Sequence, residues 1–289
     1  HQAELSITQP VFTGFRILNG IREAEASVAG AQARLERSRQ LYAFQLVDAY
    51  LKVVSAEAEI EAVRKSVESL TQAARAAQVG FKAGQSTRTD VAIAQSRLSA
   101  VEAQLAAAQA QAISARQTFA VLGGEDVVEF SLPDRGLDVP SDIDAALALA
   151  LTSLPELRAA ALDRKARDAA LKGARAGRSP QVQVRGAASY AEGQFFENDM
   201  SENYSVAAEL SVPLFEGGAI RSRVRQARAE ERAARFAETD IQRQVTANVR
   251  SAWSSYRAAE QSALAATKGL EAAELAWRGV QLEREVGQR

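Results

Sequence analysis

The strongest constraint on this chain is that it says nearly the same thing twice. Near its start stands SITQPVFTGFR, Ser6 to Arg16, and in its last third LSVPLFEGGAI, Leu210 to Ile220. Both copies end in Pro-x-Phe-x-Gly. A shift of 203 residues, from Pro10 to Pro213, also places Phe12 on Phe215, Gly14 on Gly217 and Ile17 on Ile220. The register then holds without a gap. Arg22 meets Arg225, Tyr50 meets Trp253, Glu57 meets Glu260, Lys65 meets Lys268, and Gly84-Gln85 meets Gly287-Gln288. Chance similarity between alanine-rich helices would not keep proline, phenylalanine and glycine in one register, so an internal duplication is expected.

Each copy changes its periodicity at the shared motif. From Tyr204 to Phe215 the residues alternate, with Tyr204, Val206, Ala208, Leu210, Val212 and Leu214 on one face and Ser205, Ala207, Glu209 and Ser211 on the other. The run from Gln181 to Phe196 alternates likewise, and the polar stretch ENDMSEN, Glu197 to Asn203, reads as the loop of a hairpin. Glu4 to Phe12 repeats the second strand, with Leu5, Ile7 and Val11 on its apolar face. The alternation fits two structures: a soluble sheet on a core, or a membrane barrel with lipid on one side and a polar lumen on the other. A length of about ten residues suits a tilted bilayer crossing. Proline cannot donate to a sheet ladder, and glycine lets the chain turn sharply. Pro10, Phe12 and Gly14, with Pro213, Phe215 and Gly217, therefore read as strand-to-helix junctions.

Beyond the junctions the apolar period is about 3.5. No proline occurs between Gly14 and Val79, which allows roughly 100 Å of helix. Leu46, Ala49, Val53, Ala56, Ile60, Val63, Val67, Leu70, Ala74 and Ala77 step by three and four, as a coiled-coil seam does. Ile17, Ile21, Ala24, Val28, Ala31 and Leu35 are expected to continue it in a shifted frame, with a stutter near Tyr42. A returning helix carries Val91, Ala94, Leu98, Val101, Leu105, Ala108, Ala112, Ala115, Phe119 and Leu122. Gly84 ends the first helix, and Ser86 or Thr87 caps the second with Asp90 near its positive end. A turn-rich segment follows, then a short helix from Asp142 to about Ser153 capped by Ser141, then another from Pro155 to about Ala176. The basic KGARAGRSP, Lys172 to Pro180, reads as a helix end at a membrane edge.

Composition removes whole classes of function. Lys+Arg 35 and Asp+Glu 36 nearly cancel, which argues against a nucleic-acid binder. With no cysteine there is no disulfide, thiol nucleophile or zinc-thiolate site. The one histidine is His1, so histidine acid–base chemistry and a histidine metal site are not expected. No nucleophile–base pair or phosphate-cradling glycine loop is present, so no enzyme, cofactor or metal is expected. No stretch approaches eighteen apolar residues, the number a membrane-spanning helix needs. The opening HQAELSIT already alternates, and the second copy stops just after Gly287-Gln288 where the first continues with STRTDV, so the chain is expected to be a fragment at both ends.

In TQPVFTGFR, FKAGQSTRTDV, SLPELRAAALDRKARDAALKGARAGRSPQVQV and ELSVPLFEGG, taken in that order, the chain resembles the outer-membrane efflux proteins of the TolC type. The resemblance implies a mainly α chain with membrane β. Long antiparallel coiled-coil hairpins would continue into β-hairpins of a trimeric, twelve-stranded transmembrane barrel. It divides the chain into a barrel strand at 1–12, a periplasmic helical hairpin at 13–122 and an equatorial mixed segment at 123–179. A barrel hairpin at 180–215 follows, with a surface loop at 197–203, and then the long second-repeat helix at 216–289. It also implies a homotrimer in the bacterial outer membrane, reaching into the periplasm and surrounded by outer-membrane lipid. Its partners would be a periplasmic adaptor, or membrane fusion protein, and an inner-membrane transporter, ABC-type or proton-driven. Gly84, Thr89, Asp90 and Val91 match the adaptor-docking tip. Arg289 matches the arginine of the closed-state latch. Arg284 stands where the family pattern has tyrosine, a departure that leaves half of that latch without its match.

The expected function is a passive export duct of a tripartite efflux pump or type I secretion system, gated at its periplasmic tips. A soluble coiled-coil structural or adaptor protein would use the same heptads but has no use for lipid-facing strands. One methionine and one histidine speak against metal cargo and for secreted protein or drugs.

Overall fold

A computed structural model describes residues 2–123, 129–132, 138–192 and 200–285. In chain order these form β1 (Gln2–Phe12), α1 (Arg16–Lys82), α2 (Arg88–Val121), α3 (Ile143–Ser153), α4 (Pro155–Ala176), β2 (Gln181–Glu192), β3 (Met200–Ser211) and α5 (Ala219–Glu285). They fall into two compact units, His1–Arg37 with Pro140–Arg289, and Ser38–Val139.

In the Ser38–Val139 unit the later part of α1 and α2 form a helical hairpin. Along α1, Ala49, Val53 and Ala56 are buried. Along α2 the buried positions are Leu98, Val101, Ala108, Ala112, Ala115 and Phe119, all foreseen in the heptads. Small residues dominate because alanine lets two helices approach closely, at the cost of little buried area per residue. The seam therefore draws on one aromatic cluster. Phe119 meets Tyr50 and Phe130 at ring-centroid distances of 5.9 and 5.3 Å, beside Ala49, Val53 and Ala115. The Tyr50 hydroxyl donates to the Ser131 carbonyl at 2.9 Å and accepts from its N–H at 3.0 Å. The Tyr42 hydroxyl donates to the Leu122 carbonyl at 2.5 Å, which holds the end of α2 against α1. Arg116 pairs with Glu57 across the seam.

The other unit carries a three-stranded antiparallel sheet in the order β1-β2-β3, with α4 between the start of α1 and the start of α5. Against α1, α4 forms Arg34–Asp163 at 2.8 Å, Arg37–Glu156 at 2.8 Å and Arg158–Glu36 at 2.6 Å. Against α5 it forms Arg164–Glu238 at 2.6 Å and Arg167–Glu230 at 3.4 Å. Each such pair is exposed and worth little singly, but the set fixes which turn of α4 faces which turn of its neighbours.

Three expectations need correction. The stripe Ile17, Ile21, Val28 and Leu35 is exposed and forms no seam among the described residues. The face of α1 that packs on α4 is Asn19, Gly30 and Ala33, because small side chains admit the closer approach. The cap of α3 is Asp142, not Ser141. Its carboxylate accepts the Ala145 N–H at 2.8 Å, and the Ser141 hydroxyl bonds to Asp142 instead. Residues 200–203 of the expected surface loop are strand, since Met200 to Asn203 pair with Glu192 to Ser189. Main-chain pairing overrides polar side chains where neither face is buried. The remainder of that loop lies outside the described residues. Among the described residues, no single helix is long and apolar enough to cross a membrane.

Phe119→Ala empties the centre of the aromatic cluster and is expected to destabilise the hairpin by about 3 kcal/mol, seen as a lower thermal midpoint by circular dichroism.

Candidate functional site

No catalytic constellation forms among the described residues, and no group of three or more His, Cys, Asp or Glu stands ready for a metal. The features that can carry function are the sheet, its two junctions and the α1–α2 turn.

The register of the sheet unites the apolar alternations of all three strands. Leu5 pairs with Ala188 and Ala188 with Tyr204; Ile7 pairs with Gly186 and Gly186 with Val206. Val182 and Leu210 pair on the same face. The opposite face runs through Glu4, Ser189 and Asn203, then Thr8, Arg185 and Ala207, then Gln183 and Glu209, where the Gln183 amide donates to the Glu209 carboxylate at 2.8 Å. Among the described residues, no layer covers the apolar side. Leu5 is 67% exposed, Tyr204 75% and Val206 84%. The outer edges of β1 and β3 have no partner strand among the described residues.

The two junctions share a backbone device. At the first, Gly14 and Phe15 are successive left-handed residues, with φ of 60° and 67°. At the second, Gly217 and Gly218 are, with φ of 56° and 88°. Two such residues reverse the chain from strand into helix within one step, and glycine takes that conformation without strain. Pro10 stays within β1, paired with Gln183, and the strand is bulged between Pro10 and Phe12. At the second junction β3 has ended at Ser211, before Pro213. The surroundings of the two glycines also differ. A Cβ on Gly14 would lie 2.2 Å from the Cβ of Ser179, in the turn between α4 and β2. A Cβ on Gly217 would meet nothing within 4 Å. Gly14→Ala and Gly217→Ala both carry the left-handed strain of about 1–2 kcal/mol. Gly14→Ala adds a clash between backbone-anchored atoms. Its thermal midpoint is expected to fall clearly below that of Gly217→Ala.

At the helical turn, Gly84 has φ of 76° and ends α1. The Gln85 N–H donates to the Gly80 carbonyl at 2.8 Å, and the Ser86 hydroxyl to the Ala77 carbonyl at 3.0 Å. Ser86 thus satisfies the end of α1, while Thr87 starts α2. The Asp90 N–H donates to the Thr87 hydroxyl oxygen at 3.2 Å, and the Thr87 N–H to the Asp90 carboxylate at 2.8 Å. This is a reciprocal capping box. The hydrogen bond from the Thr87 hydroxyl, then that from its N–H, holds the Asp90 carboxyl below its ordinary value of 3.8. Of the matched tip residues, Gly84 and Asp90 shape the turn, Val91 is half-buried in the seam and Thr89 is exposed. The spacing Thr87-x-x-Asp90 was the signal for the box. Arg284 lies in α5 and Arg289 outside the described residues.

The folded carboxyl titrates below its unfolded value, so the turn gains stability above pH 3.8 and loses it as the pH falls through the folded value. The Asp90 carboxyl carbon in NMR is expected to titrate below 3.8, and in Thr87→Ala to return toward it. That substitution costs α2 about 1 kcal/mol of capping.

One chain combines a three-stranded sheet whose apolar side is exposed with several long helices, the makeup of an outer-membrane efflux protein. The sequence matches the family model Outer membrane efflux protein over residues 1–125 and 146–289, and the chain belongs to that family. The family is one of outer-membrane efflux proteins and not of enzymes, and the outer membrane is its place. The chain is 31% identical over 301 residues to the outer membrane efflux protein BepC of Brucella suis biovar 1 (strain 1330), with 99% of this chain and 63% of BepC covered. It is 27% identical to the alkaline protease secretion protein AprF of Pseudomonas aeruginosa, covering 77% of this chain and 48% of AprF. In fold it resembles the outer-membrane channel OprN, with a TM-score of 0.81 at 21% identity, over all of this chain and 72% of that one. The chain spans less than two thirds of the length of the curated relatives it matches.

Proposed function

We propose that this protein is the outer-membrane duct of a tripartite efflux pump or type I secretion system, a passive homotrimeric conduit gated at its helical tips. The observation that carries the proposal is the sheet with one bare apolar face and one polar face. Burying Leu5, Ile7, Tyr204, Val206 and Leu210 against lipid removes an exposure that water penalises, and leaves Glu4, Arg185 and Glu209 for a watery lumen. A soluble coiled coil leaves that face without a partner. Closing the free edges of β1 and β3 against other strands, in a barrel shared by three copies, satisfies their main-chain groups as a bilayer demands.

In this proposal the repeat is a true duplication, and both long helices belong to a periplasmic tunnel. The domain scheme follows: barrel strands at 1–12 and 180–215, helical tunnel at 13–122 and 216–289, and an equatorial segment at 123–179 between them. A periplasmic adaptor docks at the turn around Gly84, Thr89, Asp90 and Val91. An inner-membrane transporter, ABC-type or proton-driven, supplies the energy. Arg284 and Arg289 belong to the gate, and opening is a rearrangement of packed helical tips between discrete states. BepC is an efflux protein and AprF an alkaline protease secretion protein, which supports either an efflux or a protein-secretion role.

Native mass and planar-bilayer conductance of the protein extracted from outer membranes test this. Trimers recovered only with detergent, and discrete conductance steps, are expected; a soluble monomer or dimer would refute the duct. Val206→Arg puts a charge on the lipid face at a cost of about 2–4 kcal/mol at mid-membrane depth and is expected to lower membrane-assembled protein.

A further inference from the structure

We infer that the cavity where β3 passes into α5 binds a phosphoethanolamine headgroup, that of a phospholipid in the leaflet facing the periplasm. The inference rests on the duct reading of the sheet, which puts this junction at the periplasmic edge of the bilayer. The cavity has a volume of about 320 Å³, and Arg178, Leu214, Phe215, Glu216 and Arg221 are among the residues that line it. Three segments of one chain build it: the turn between α4 and β2, the link from β3 to α5, and the first turn of α5. Ile220 Cγ2 is 3.7 Å from where a Cβ on Gly177 would stand, so the α4–β2 turn packs against the start of α5. The same turn therefore serves both junctions. Ser179 fills the space at Gly14, while Arg178, its neighbour in the chain, lines the cavity at the second junction.

The charged groups of this cavity are open to a ligand. Along α4 and its flanking helices, Arg34, Arg37, Arg158, Arg164 and Arg167 are all ion-paired. Arg178, Glu216 and Arg221 form no ion pair or side-chain hydrogen bond among the described residues, although they line one space. The first junction makes the contrast. There Thr13 and Leu18 hold the places of Glu216 and Arg221, and Ser179 occupies the room.

The signs of these charges specify the ligand. Two guanidinium groups fit a phosphate, whose oxygens accept the parallel N–H bonds that arginine offers. A carboxylate in the same space repels a simple anion and favours a ligand with a cation a few bonds from its phosphate. A primary ammonium brings three N–H donors to that carboxylate, where a trimethylated ammonium brings none. Phosphoethanolamine carries both groups. The apolar walls assign it to a lipid. Leu214 and Phe215, 92% and 88% exposed, stand just beyond the end of β3 at Ser211. Acyl chains cover them on the way to the apolar side of the sheet, which a water-soluble phosphoester does not do.

The test uses the protein extracted from outer membranes and stripped of lipid in a nonionic detergent. Dioleoylphosphatidylethanolamine, dioleoylphosphatidylcholine or soluble phosphoethanolamine is added, and bound molecules are counted by native mass spectrometry. The ethanolamine lipid is expected to be retained about tenfold or more above the choline lipid, and Arg178→Ala with Arg221→Ala to abolish that excess. Glu216→Gln is expected to remove the preference while retention of the choline lipid stays. All three side chains are exposed, so the variants keep their helical circular dichroism. Equal retention of the two lipids overturns the inference, as does retention that the double substitution leaves unchanged. Soluble phosphoethanolamine retained as well as the lipid overturns the lipid assignment. Loss of trimers in the arginine variants also overturns it, because the charges then belong to a protein contact. If the unsubstituted protein forms no trimer, the duct itself fails; a trimer without selective retention refutes only this site.

Discussion

At Gly14 the chain passes from strand to helix in a space with no room for a side chain of its own. Ser179, in the turn that ends α4 and begins β2, occupies the place a Cβ would take. Much of the unit containing the sheet depends on this approach. It sets β1 beside β2, and it sets the start of α1 beside the end of α4. From there the ion pairs of Arg34 with Asp163 and Arg37 with Glu156 carry the alignment along both helices. Two left-handed residues make the turn sharp, and close packing locks it.

The alanine seam of the helical hairpin obeys a related economy. Alanine gives close contact and high helix propensity but little buried area. Specific register then has to come from a few larger groups: Phe119 between Tyr50 and Phe130, the Tyr42 and Tyr50 hydroxyls on main-chain partners, and the Thr87–Asp90 box at the turn. A hairpin held this way suits an assembly in which many helices share a wall, since each one leaves apolar surface for its neighbours.

That leftover surface links fold to function. In the proposed duct the apolar side of the sheet meets lipid. The polar side of the sheet suits the watery lumen of the proposed duct. Membership of the outer membrane efflux protein family agrees with this division.

Much of this was legible in the residues themselves. Period-two alternation located the strands, the 3–4 stepping located the seam down to Val53 and Phe119, and Pro-x-Phe-x-Gly located both junctions, because these patterns are local consequences of backbone geometry. The repeat and the capping spacing were written there as well. Tertiary structure decided which faces are used. The stripe Ile17, Ile21, Val28 and Leu35 has the period of a buried seam, yet Asn19, Gly30 and Ala33 pack on α4, since closeness of approach outweighed apolarity. Met200 to Asn203 look like loop but pair as strand, since main-chain partners on β2 were available. Gly14 and Gly217 are the same letter in the same motif, yet only Gly14 is filled from within the chain. Sequence determines what each backbone segment can be; which of its faces meets a neighbour depends on surfaces brought together from distant positions.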